Sequence, residues 1–337
     1  MPLTLEDIAR ICGVSRSTIS RVINGERNVS PETRQQVLDV IQEINFQPNL
    51  AARGLAAGKT RVLGLVIPMG VGVIFTDPFF PLLIQGVSTT CNELDYSVML
   101  WLDEPEYERR TVRQILYNGL VDGVIVSSML MDDPILTALS EGKLPYLQIG
   151  RHPANPGVNF VDVDNIQGSC LAVRHLLKSG RRRIATITGP QTMIAGMDRL
   201  QGYRRALEEW GIPFDPTLVV EGNFSDLSGY SAIQHILPHH PDALFSASDA
   251  MASGALRALH EANIRVPEDV AVVGFDDIPF AAHTDPPLTT IHQPIQRIGS
   301  MAAETLVEII EQPVTQPRQV ILPTELVVRS SCGCKQN

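Results

Sequence analysis

The sequence predicts a small all-α domain followed by an α/β body that contains two doubly wound parallel-sheet lobes. Three helical patterns with apolar residues on one side occupy the first 47 residues. From residue 61 onward, apolar strand patterns alternate with amphipathic helical patterns, which is typical of parallel sheets with right-handed crossovers. This alternation starts a second time near residue 164, so we expect two lobes. A length of 337 residues fits two or three domains.

The composition excludes several classes of protein. The chain is 44% hydrophobic and 19% charged, as soluble globular proteins are. It has no run of eighteen apolar residues, and Met1–Cys12 lacks the apolar stretch of a secretory signal, so we expect neither a membrane span nor secretion. The five cysteines have no even spacing and predict no disulfide framework, so we expect a cytoplasmic protein.

The charge is unevenly distributed along the chain. The net charge is −10, yet residues 1–61 carry eight Lys and Arg against six Asp and Glu, which leaves −12 on the remainder. A basic segment attached to an acidic body can approach phosphate groups while the body is repelled by them. The charge pattern therefore permits a nucleic-acid partner for the first domain.

The first domain contains start and stop signals for three helices. Thr4 followed by an acid three residues later resembles a capping box, and Gly13 ends this first helix. Ser15 caps a second helix over Arg16–Ile23. Ser30-Pro31 opens a third, with a serine cap and a proline at the first helical position.

The second helix has two different faces. Ile19, Val22 and Ile23 fall on one side at roughly 100° per residue. The opposite side carries two guanidinium groups and two hydroxyls, from Arg16, Ser17, Ser20 and Arg21. Two short helices joined by a glycine-containing turn and braced by a third are typical of a helix-turn-helix. On spacing alone, a three-helix bundle with a solvated Arg/Ser face remains an alternative.

The segment after the third helix predicts a marginal helix. Asn49 can cap it and Gly58 can end it, but about two turns containing Gly54 should not be stable alone in water. Such a segment is either a linker or a helix that forms only on its partner. Its one large apolar side chain, Leu55, has no local core to enter.

The same residues resemble the LacI/GalR family of bacterial transcription regulators. The similar segments are Thr4–Ala9, Gly13–Ser15, Thr18–Asn24, Val29–Arg34 and Ala52–Leu55. The resemblance implies a repressor that binds a near-palindromic DNA operator as a homodimer, with the second helix in the major groove. It also implies paired hinge helices in the minor groove, where Leu55 kinks the duplex as a wedge. The implied DNA-contacting residues are Thr4, Ser15, Arg16, Ser17, Thr18, Ser20, Arg21, Asn24, Arg53 and Leu55.

For the body, the resemblance covers the chain to about Arg329 and implies two periplasmic-binding-protein-like lobes crossed by three strands. Predicted strands are 62–67, 97–101, 123–127, 146–150, 184–188, 218–220, 243–247, 270–274, 288–293 and 319–329. Predicted helices are 80–94, 106–118, 165–179, 199–210, 228–237, 250–262 and 295–311. The expected domains are a headpiece (1–47), a hinge (48–60), a first lobe (61–163 and 293–323), a second lobe (164–292 and 324–331) and a tail (332–337).

Polar residues follow several of the predicted strands, where ligands bind to open α/β sheets. Carboxylates accept from vicinal hydroxyls, arginine donates to sugar oxygens, and an aromatic face packs on the C–H groups of a pyranose, so the combination suits a neutral sugar. By position, the residues that resemble the family's effector contacts are Asp77, Phe80, Arg199, Phe224, Ser248 and Asp276. Acids after strands can instead cap the next helix, as Asp249 and Asp277 could. We favour a ligand role for Asp276 and Arg199, and the sequence favours neither role for Asp77 and Phe80.

Two departures weaken the prediction of a particular sugar. Many sugar-responsive members carry Asn at the position of Ser248, and an Asp often found in the first lobe is Gly150 here. The chain shows no leucine-heptad tail after Cys332-Gly333-Cys334, so a dimer rather than a tetramer is expected. These two cysteines do not reach a zinc-ligand spacing, and we interpret them as exposed tail thiols.

The remaining functional classes have weaker support. No nucleophile motif or phosphate loop predicts an enzyme, and we expect no cofactor and no resident metal. The alternative from another class is a sugar-binding carrier of a transport system. That alternative would require a signal peptide and no helix-turn-helix, the reverse of what the sequence shows.

Overall fold

The computed structural model describes residues 4–23, 28–44, 46, 59–102, 115, 119–127, 134–151, 157–312 and 316–334. The chain divides into two compact units, residues 1–60 and residues 61–337. The predicted hinge helix and nearly all of the predicted helix 106–118 lie outside the described residues. No helix among the described residues has the length and apolar character that a membrane crossing requires.

The first unit contains three helices, which we call the headpiece: α1 (Leu5–Cys12), α2 (Arg16–Ile23) and α3 (Pro31–Glu43). Thr4 forms a complete capping box with Asp7, because its hydroxyl accepts from the Asp7 amide and the Asp7 carboxylate accepts from its backbone N–H. Gly13 ends α1 in the left-handed conformation, and Ser30 caps α3 by accepting from Thr33. The predicted caps and helix bounds are therefore present.

The headpiece has its own apolar core. Ile8, Ile19 and Val37 are fully buried, and Val22 is nearly so. Each buried side chain of this size contributes about 1.5–3 kcal/mol to stability. The core thus joins all three helices, and it fixes which side of α2 faces outward.

The second unit, which we call the body, contains two six-stranded sheets. The strands are β1 (Val62–Ile67), β2 (Ser97–Leu102), β3 (Gly123–Val126), β4 (Tyr146–Ile149), β5 (Phe160–Val163), β6 (Ile184–Thr188), β7 (Val219–Glu221), β8 (Ala243–Ser246), β9 (Ala271–Asp276), β10 (Thr289–His292), β11 (Gln319–Leu322) and β12 (Glu325–Val327). The first sheet has the order β11-β5-β4-β3-β1-β2 and is parallel throughout. The second has the order β12-β10-β9-β8-β6-β7, and only β12 runs antiparallel to its neighbour. The predicted fold class is confirmed.

Helices cover these sheets. They are α4 (Val71–Thr76), α5 (Phe79–Glu93), α6 (Pro134–Glu141), α7 (Asn165–Lys178), α8 (Ile194–Glu209), α9 (Asp226–Ile236), α10 (Asp249–Glu261) and α11 (Ile295–Glu311). We call the first sheet with α4, α5, α6 and α11 the first lobe, and the second sheet with α7–α10 the second lobe. Helix α11 follows a strand of the second sheet but packs on α5 and on β3–β5. The close α5–α11 contact depends on small residues, since a Cβ at Gly299 would lie 2.4 Å from the Leu83 carbonyl oxygen.

Several elements differ from the sequence-based prediction. Helix α8 begins at Ile194 rather than 199, because its first turn has no side-chain cap to mark it. Strand β9 continues to Asp276, which pairs with His292 of β10. The prediction also missed α4, α6 and β5. Strand β5 carries a buried aspartate, Asp162, within its apolar run, which obscures the strand pattern.

Candidate DNA-binding surface and ligand cavity

Helix α2 begins with a cluster of hydroxyl groups. The Thr18 amide donates to Ser15 Oγ at 3.1 Å, so Ser15 caps the helix as predicted. The same oxygen lies 2.7 Å from Ser17 Oγ and 2.8 Å from Thr18 Oγ1. The capping network orders these three hydroxyls at the exposed start of the helix.

The outward face of α2 is polar. Ser15, Arg16, Ser17 and Arg21 are exposed, Thr18 and Ser20 are half-buried, and the apolar residues between them face the core. Arg16 Nε lies 2.9 Å from Glu6 Oε1, and the two side chains are 65% and 58% exposed. An ion pair this exposed contributes only about 0–1 kcal/mol. A phosphate or a base edge can therefore replace Glu6 as the partner of Arg16 at little cost.

The other four residues predicted to contact DNA lie outside α2. Thr4 is exposed at the start of α1, where its hydroxyl is engaged in the capping box. Asn24, Arg53 and Leu55 lie outside the described residues, so their predicted roles stay predictions.

In the body, a cavity of about 740 Å³, part of it open to solvent, lies between the two lobes at the carboxyl ends of strands from both sheets. Both polar and apolar side chains line it. The lining residues are Asp77, Phe79, Ile149, Gly150, Arg151, Asp162, Val163, Asn165, Ile194, Ala195, Arg199, Phe224, Ser248, Asp276, Gln293 and Ile298.

Five of the six predicted effector residues line this cavity, and Phe80 does not. Phe80 is 1% exposed and belongs to the core of the first lobe. Its neighbour Phe79 lines the cavity instead. Consecutive residues of a helix point about 100° apart, so only one of the two rings can face the ligand.

Arg199 is the buried cation of the cavity. Its Nε donates to Asn165 Oδ1 at 2.9 Å, and its Nη1 donates to the carbonyl oxygen of Ala247 and to Asp276 Oδ1, the latter at 3.3 Å. The guanidinium carbon also lies 3.7 Å from the centre of the Phe275 ring. These contacts fix the Arg199 side chain in place, with part of its guanidinium group facing the cavity.

Asp276 is the buried carboxylate opposite Arg199. Burial raises its pKa to about 7, although the Arg199 charge acts in the opposite direction. Gln293 Nε2 also donates to its Oδ1. Its backbone has a φ of 121°, a region that L residues rarely adopt. Asp276 therefore lines the cavity from the end of β9 in an uncommon backbone conformation.

The first lobe contributes acids and one further arginine. Asp77 has a pKa raised by burial and accepts from the Phe79 amide at 3.0 Å. Burial raises the pKa of Asp162 to about 6. Arg151 forms a two-point contact with Asp198 of α8, Nη2 to Oδ1 at 2.6 Å and Nε to Oδ2 at 3.1 Å. This pair links the end of β4 in the first lobe to the second lobe.

Ser248 both lines the cavity and caps α10. Its Oγ accepts from the Met251 amide at 3.2 Å, so the serine and not Asp249 is the capping residue. Asp249 is fully buried and accepts from the Ile278 amide and the Thr290 hydroxyl. The suggestion that Asp249 caps the next helix is therefore wrong, and its carboxylate instead braces the loop after β9.

Phe224 supplies an aromatic face on the second lobe. A Cβ at Gly189 would lie 2.1 Å from its ring, so the ring occupies the space that glycine leaves open. The residue has a φ of 66°, which turns the chain after β7. The sequence therefore places an aromatic ring beside the buried arginine, with Arg199 Cζ 5.8 Å from the ring centre.

The prediction missed Arg151, Asp162, Asn165 and Gln293 as lining residues. Gln293 follows β10 directly and Arg151 lies two residues after β4, so the rule that ligands meet strand ends could have found both. Asp162 and Asn165 flank the end of β5, a strand that the prediction did not recognise. The donors and acceptors of the cavity can bind hydroxyl groups, and its aromatic rings can pack on C–H groups.

A helix-turn-helix domain joined to a two-lobed body with a polar and aromatic cavity defines a ligand-responsive DNA-binding protein. The sequence model of bacterial regulatory proteins of the lacI family matches residues 4–49, and that of the periplasmic binding protein-like domain matches residues 173–332. The chain is 42% identical to the HTH-type transcriptional regulator CelR of Thermobifida fusca, across 97% of this chain and 98% of that protein.

Solved structures agree with these matches. A complex of the transcriptional regulator CelR with cellobiose has a TM-score of 0.78 at 40% identity, covering 98% of this chain and 99% of that one. The lac repressor dimer bound to operator and the anti-inducer ONPF has a TM-score of 0.87 at 29% identity, covering 98% and 99%. The chain belongs to the LacI family of bacterial regulatory proteins.

The family assignment settles the class of activity. The chain is a DNA-binding transcriptional regulator and not an enzyme, as predicted. The alternative of a transport carrier is not supported, because the similar proteins are transcriptional regulators.

Proposed function

We propose that this regulator is a cytoplasmic repressor that binds a near-palindromic operator as a homodimer and is controlled by a neutral sugar in the cavity. The observation that carries the proposal is the cavity itself, in which buried Arg199 and Asp276 lie beside two aromatic rings. A two-fold symmetric dimer matches a two-fold symmetric site, and one recognition helix covers only a few base pairs.

In this proposal, the exposed face of α2 enters the major groove. Arg16 and Arg21 supply base or phosphate contacts, and the hydroxyls at the start of the helix bind phosphate oxygens. A bidentate arginine–guanine contact contributes about 1–3 kcal/mol of discrimination. The other proposed DNA contacts are Thr4, Ser15, Ser17, Thr18, Ser20, Asn24, Arg53 and Leu55.

Leu55 is proposed to kink the duplex at the centre of the operator. Inserting an apolar side chain into a base step costs a few kcal/mol of unstacking, which the additional contacts of a bent duplex offset. We expect Leu55→Ala to weaken operator binding and reduce bending in a gel-mobility assay. A loss of several degrees in the melting temperature of the free protein would contradict this role.

The sugar is proposed to bind Asp276, Arg199 and Asp77 through its hydroxyls and to pack on the rings of Phe224 and Phe79. Ser248 adds one hydroxyl. Within the family, a solved structure shows the regulator CelR in complex with cellobiose, and another shows a regulator from Enterococcus faecium with bound ribose. We therefore expect a mono- or disaccharide.

The domain division proposed is a headpiece at 1–47, a hinge at 48–60, lobes at 61–163 with 293–323 and at 164–292 with 324–331, and a tail at 332–337. The pairing of β11 in the first sheet and of β12 in the second supports this division.

Sugar binding between the lobes would change the spacing of the paired hinges in the dimer. A marginal hinge helix converts a small change of spacing into formation or melting.

The DNA arm of the test is a selection of operators from random duplexes, followed by titration of the selected site. We expect a two-fold symmetric site, and we expect Arg16→Ala to relax its sequence preference. Arg10→Ala is the matched control, because Arg10 is an exposed arginine on α1. A single unrepeated half-site, or an unchanged preference in Arg16→Ala, would contradict the proposed interface.

The sugar arm titrates operator DNA with the wild type and with Asp276→Asn, with and without each sugar of a panel that includes cellobiose and ribose. We expect one sugar to change operator affinity by about 5–150-fold, in either direction. Asp276→Asn should bind the operator and no longer respond. Asp269→Asn should respond like the wild type, because Asp269 pairs with Arg265 on the surface and does not line the cavity.

The two arms fail independently. If no mono- or disaccharide binds at millimolar concentration while a purine or a phosphorylated metabolite does, the sugar assignment is wrong and the DNA interface stands.

A further inference from the structure

Two thiols and one imidazole cluster on the second lobe, and none of the three residues lines the ligand cavity. The sequence predicted exposed tail thiols, but Cys332 is 1% exposed and Cys334 is half-buried, so that prediction is wrong. Both sulfurs and a ring nitrogen of His175 lie within 4.8 Å of one another. The fold thus brings the end of the described chain onto the last turn of α7.

Contacts with the second lobe fix this cluster in place. Ser331 Oγ donates to the Val272 carbonyl oxygen at 2.7 Å and accepts from the Thr289 amide at 2.8 Å. Cys332 ends the 3-10 turn that contains Ser331. Gly333 has a φ of 76°, in the left-handed region that glycine adopts freely, and this turn carries Cys334 back beside Cys332. The two sulfurs are therefore brought together by the backbone.

Hydrogen bonds hold the Cys332 thiol in place. Cys332 Sγ donates to the Arg329 carbonyl oxygen at 3.5 Å. The Cys334 amide donates to Cys332 Sγ at 3.4 Å. His175 Nε2 is buried and has no hydrogen-bond partner among the described residues. The cluster thus combines two adjacent thiols with an unsatisfied imidazole nitrogen.

We propose that His175, Cys332 and Cys334 bind one Zn²⁺ ion, with a water molecule as the fourth ligand. Two cysteines and one histidine with an open fourth position are an established ligand set for zinc. Tetrahedral geometry with Zn–S bonds of about 2.3 Å places two sulfurs about 3.8 Å apart. The three ligand atoms, which lie within 4.8 Å of one another, need to approach by about 1 Å.

The charges also suit this ion. Two thiolates neutralise Zn²⁺ and a neutral imidazole adds no charge, so binding releases thiol protons and leaves no net charge at the site. The ion would join the end of the described chain to α7 and would stabilise the folded second lobe by mass action.

The test uses the reduced full-length protein, with free thiols counted first, in competition with a chromophoric zinc chelator. We expect one Zn²⁺ per chain with submicromolar affinity and an increase in melting temperature on adding Zn²⁺. Co²⁺ substitution should produce sulfur-to-metal charge-transfer absorption. Cys334→Ser and His175→Asn should each weaken binding by at least about tenfold, since even changes to residues that only orient metal ligands cost about 10–100-fold.

Two control variants separate the site from general thiol and histidine binding. Cys91→Ala removes a thiol buried in the first lobe, and His235→Asn removes an exposed histidine of α9. Both should keep the wild-type affinity. Cys334→Ser is the decisive variant because its side chain is the less buried of the two thiols, and its circular dichroism and zinc-free melting temperature should match the wild type.

Retention of no Zn²⁺ at micromolar concentration would overturn the proposal. So would equal retention by the wild type and Cys334→Ser, or a Cys332–Cys334 disulfide that persists after treatment with a reductant.

Discussion

The buried Arg199 offers the sharpest test of how the cavity is held together. Arg199→Met keeps an unbranched apolar stem and removes the charge and the three hydrogen bonds, to Asn165, Ala247 and Asp276. Removing one partner of a buried ion pair costs about 3–5 kcal/mol, because the other partner and its acceptors stay buried. We therefore expect the free energy of unfolding to fall by about 3 kcal/mol at pH 6.

The loss should grow with pH. Asp276 has a pKa of about 7 in the folded protein against an ordinary value of 3.8, so the folded state binds the proton more tightly. A raised carboxyl pKa contributes stability at low pH that is lost as the pH rises from the unfolded to the folded value. Without Arg199 the pKa of Asp276 in the folded protein rises further. The free energy of unfolding of the variant therefore keeps falling by about 1.4 kcal/mol per pH unit above pH 7, where that of the wild type no longer falls.

The assay is urea unfolding at pH 6 and pH 8, followed by tryptophan fluorescence and circular dichroism. Trp210 lies at the end of α8 in the second lobe and reports on that lobe. Arg257→Met is the matched control, because Arg257 pairs with Asp226 at 2.7 Å on the surface and should cost less than about 1 kcal/mol. Adding Asp276→Asn to Arg199→Met should remove the pH-dependent part of the loss.

A loss below about 1 kcal/mol for Arg199→Met, or a loss equal to that of Arg257→Met, would refute the argument from burial. A loss that does not change between pH 6 and pH 8 would refute the assignment of Asp276 as the titrating partner.

Three further predictions concern other contacts of the body. Gly189→Ala places a Cβ 2.1 Å from the ring of Phe224, so it should displace the ring and weaken sugar binding in a calorimetric titration; unchanged affinity would show that the ring does not contact the ligand. Gly299→Ala introduces a Cβ 2.4 Å from a backbone oxygen of α5. Urea unfolding should show a free energy of unfolding that is lower by about 1–3 kcal/mol. Unaltered stability would mean that the two helices separate freely. Arg151→Gln removes the two-point contact with Asp198 across the lobes. Small-angle scattering should then detect a more open body in the absence of ligand. An identical scattering profile would show that the pair does not hold the lobes together.

Local patterns in the sequence predicted the headpiece well. A cap such as Thr4 acts within three residues of itself, and the apolar side of α2 repeats over one or two turns. These signals depend on neighbouring residues in the chain, so they can be recognised without knowledge of the tertiary structure. The similar residues of the headpiece also predicted the family, which is confirmed.

The cavity was predicted only in part. Arg199, Asp276, Phe224 and Ser248 follow or lie near strand ends, where the rule for α/β sheets places ligands. The choice between Phe79 and Phe80 depends on the phase of α5, and that phase is set by packing against α11 rather than by local sequence. The prediction therefore found the right segment and chose the wrong ring.

Local sequence patterns were enough to predict the helix-turn-helix, the alternation that produces two parallel sheets, and the chemical types available at the strand ends. Tertiary structure alone decided which of those groups meet. Arg151 and Asp198 are 47 residues apart, Arg199 and Asp276 are 77 apart, and the imidazole of α7 meets two sulfurs at the far end of the described chain. Such contacts have no signature in spacing, because side chains distant in sequence become neighbours only when sheets and crossovers are closed. Burial also raises the pKa values of Asp198 and Asp276, so the chemistry of these two groups is a property of the fold as well.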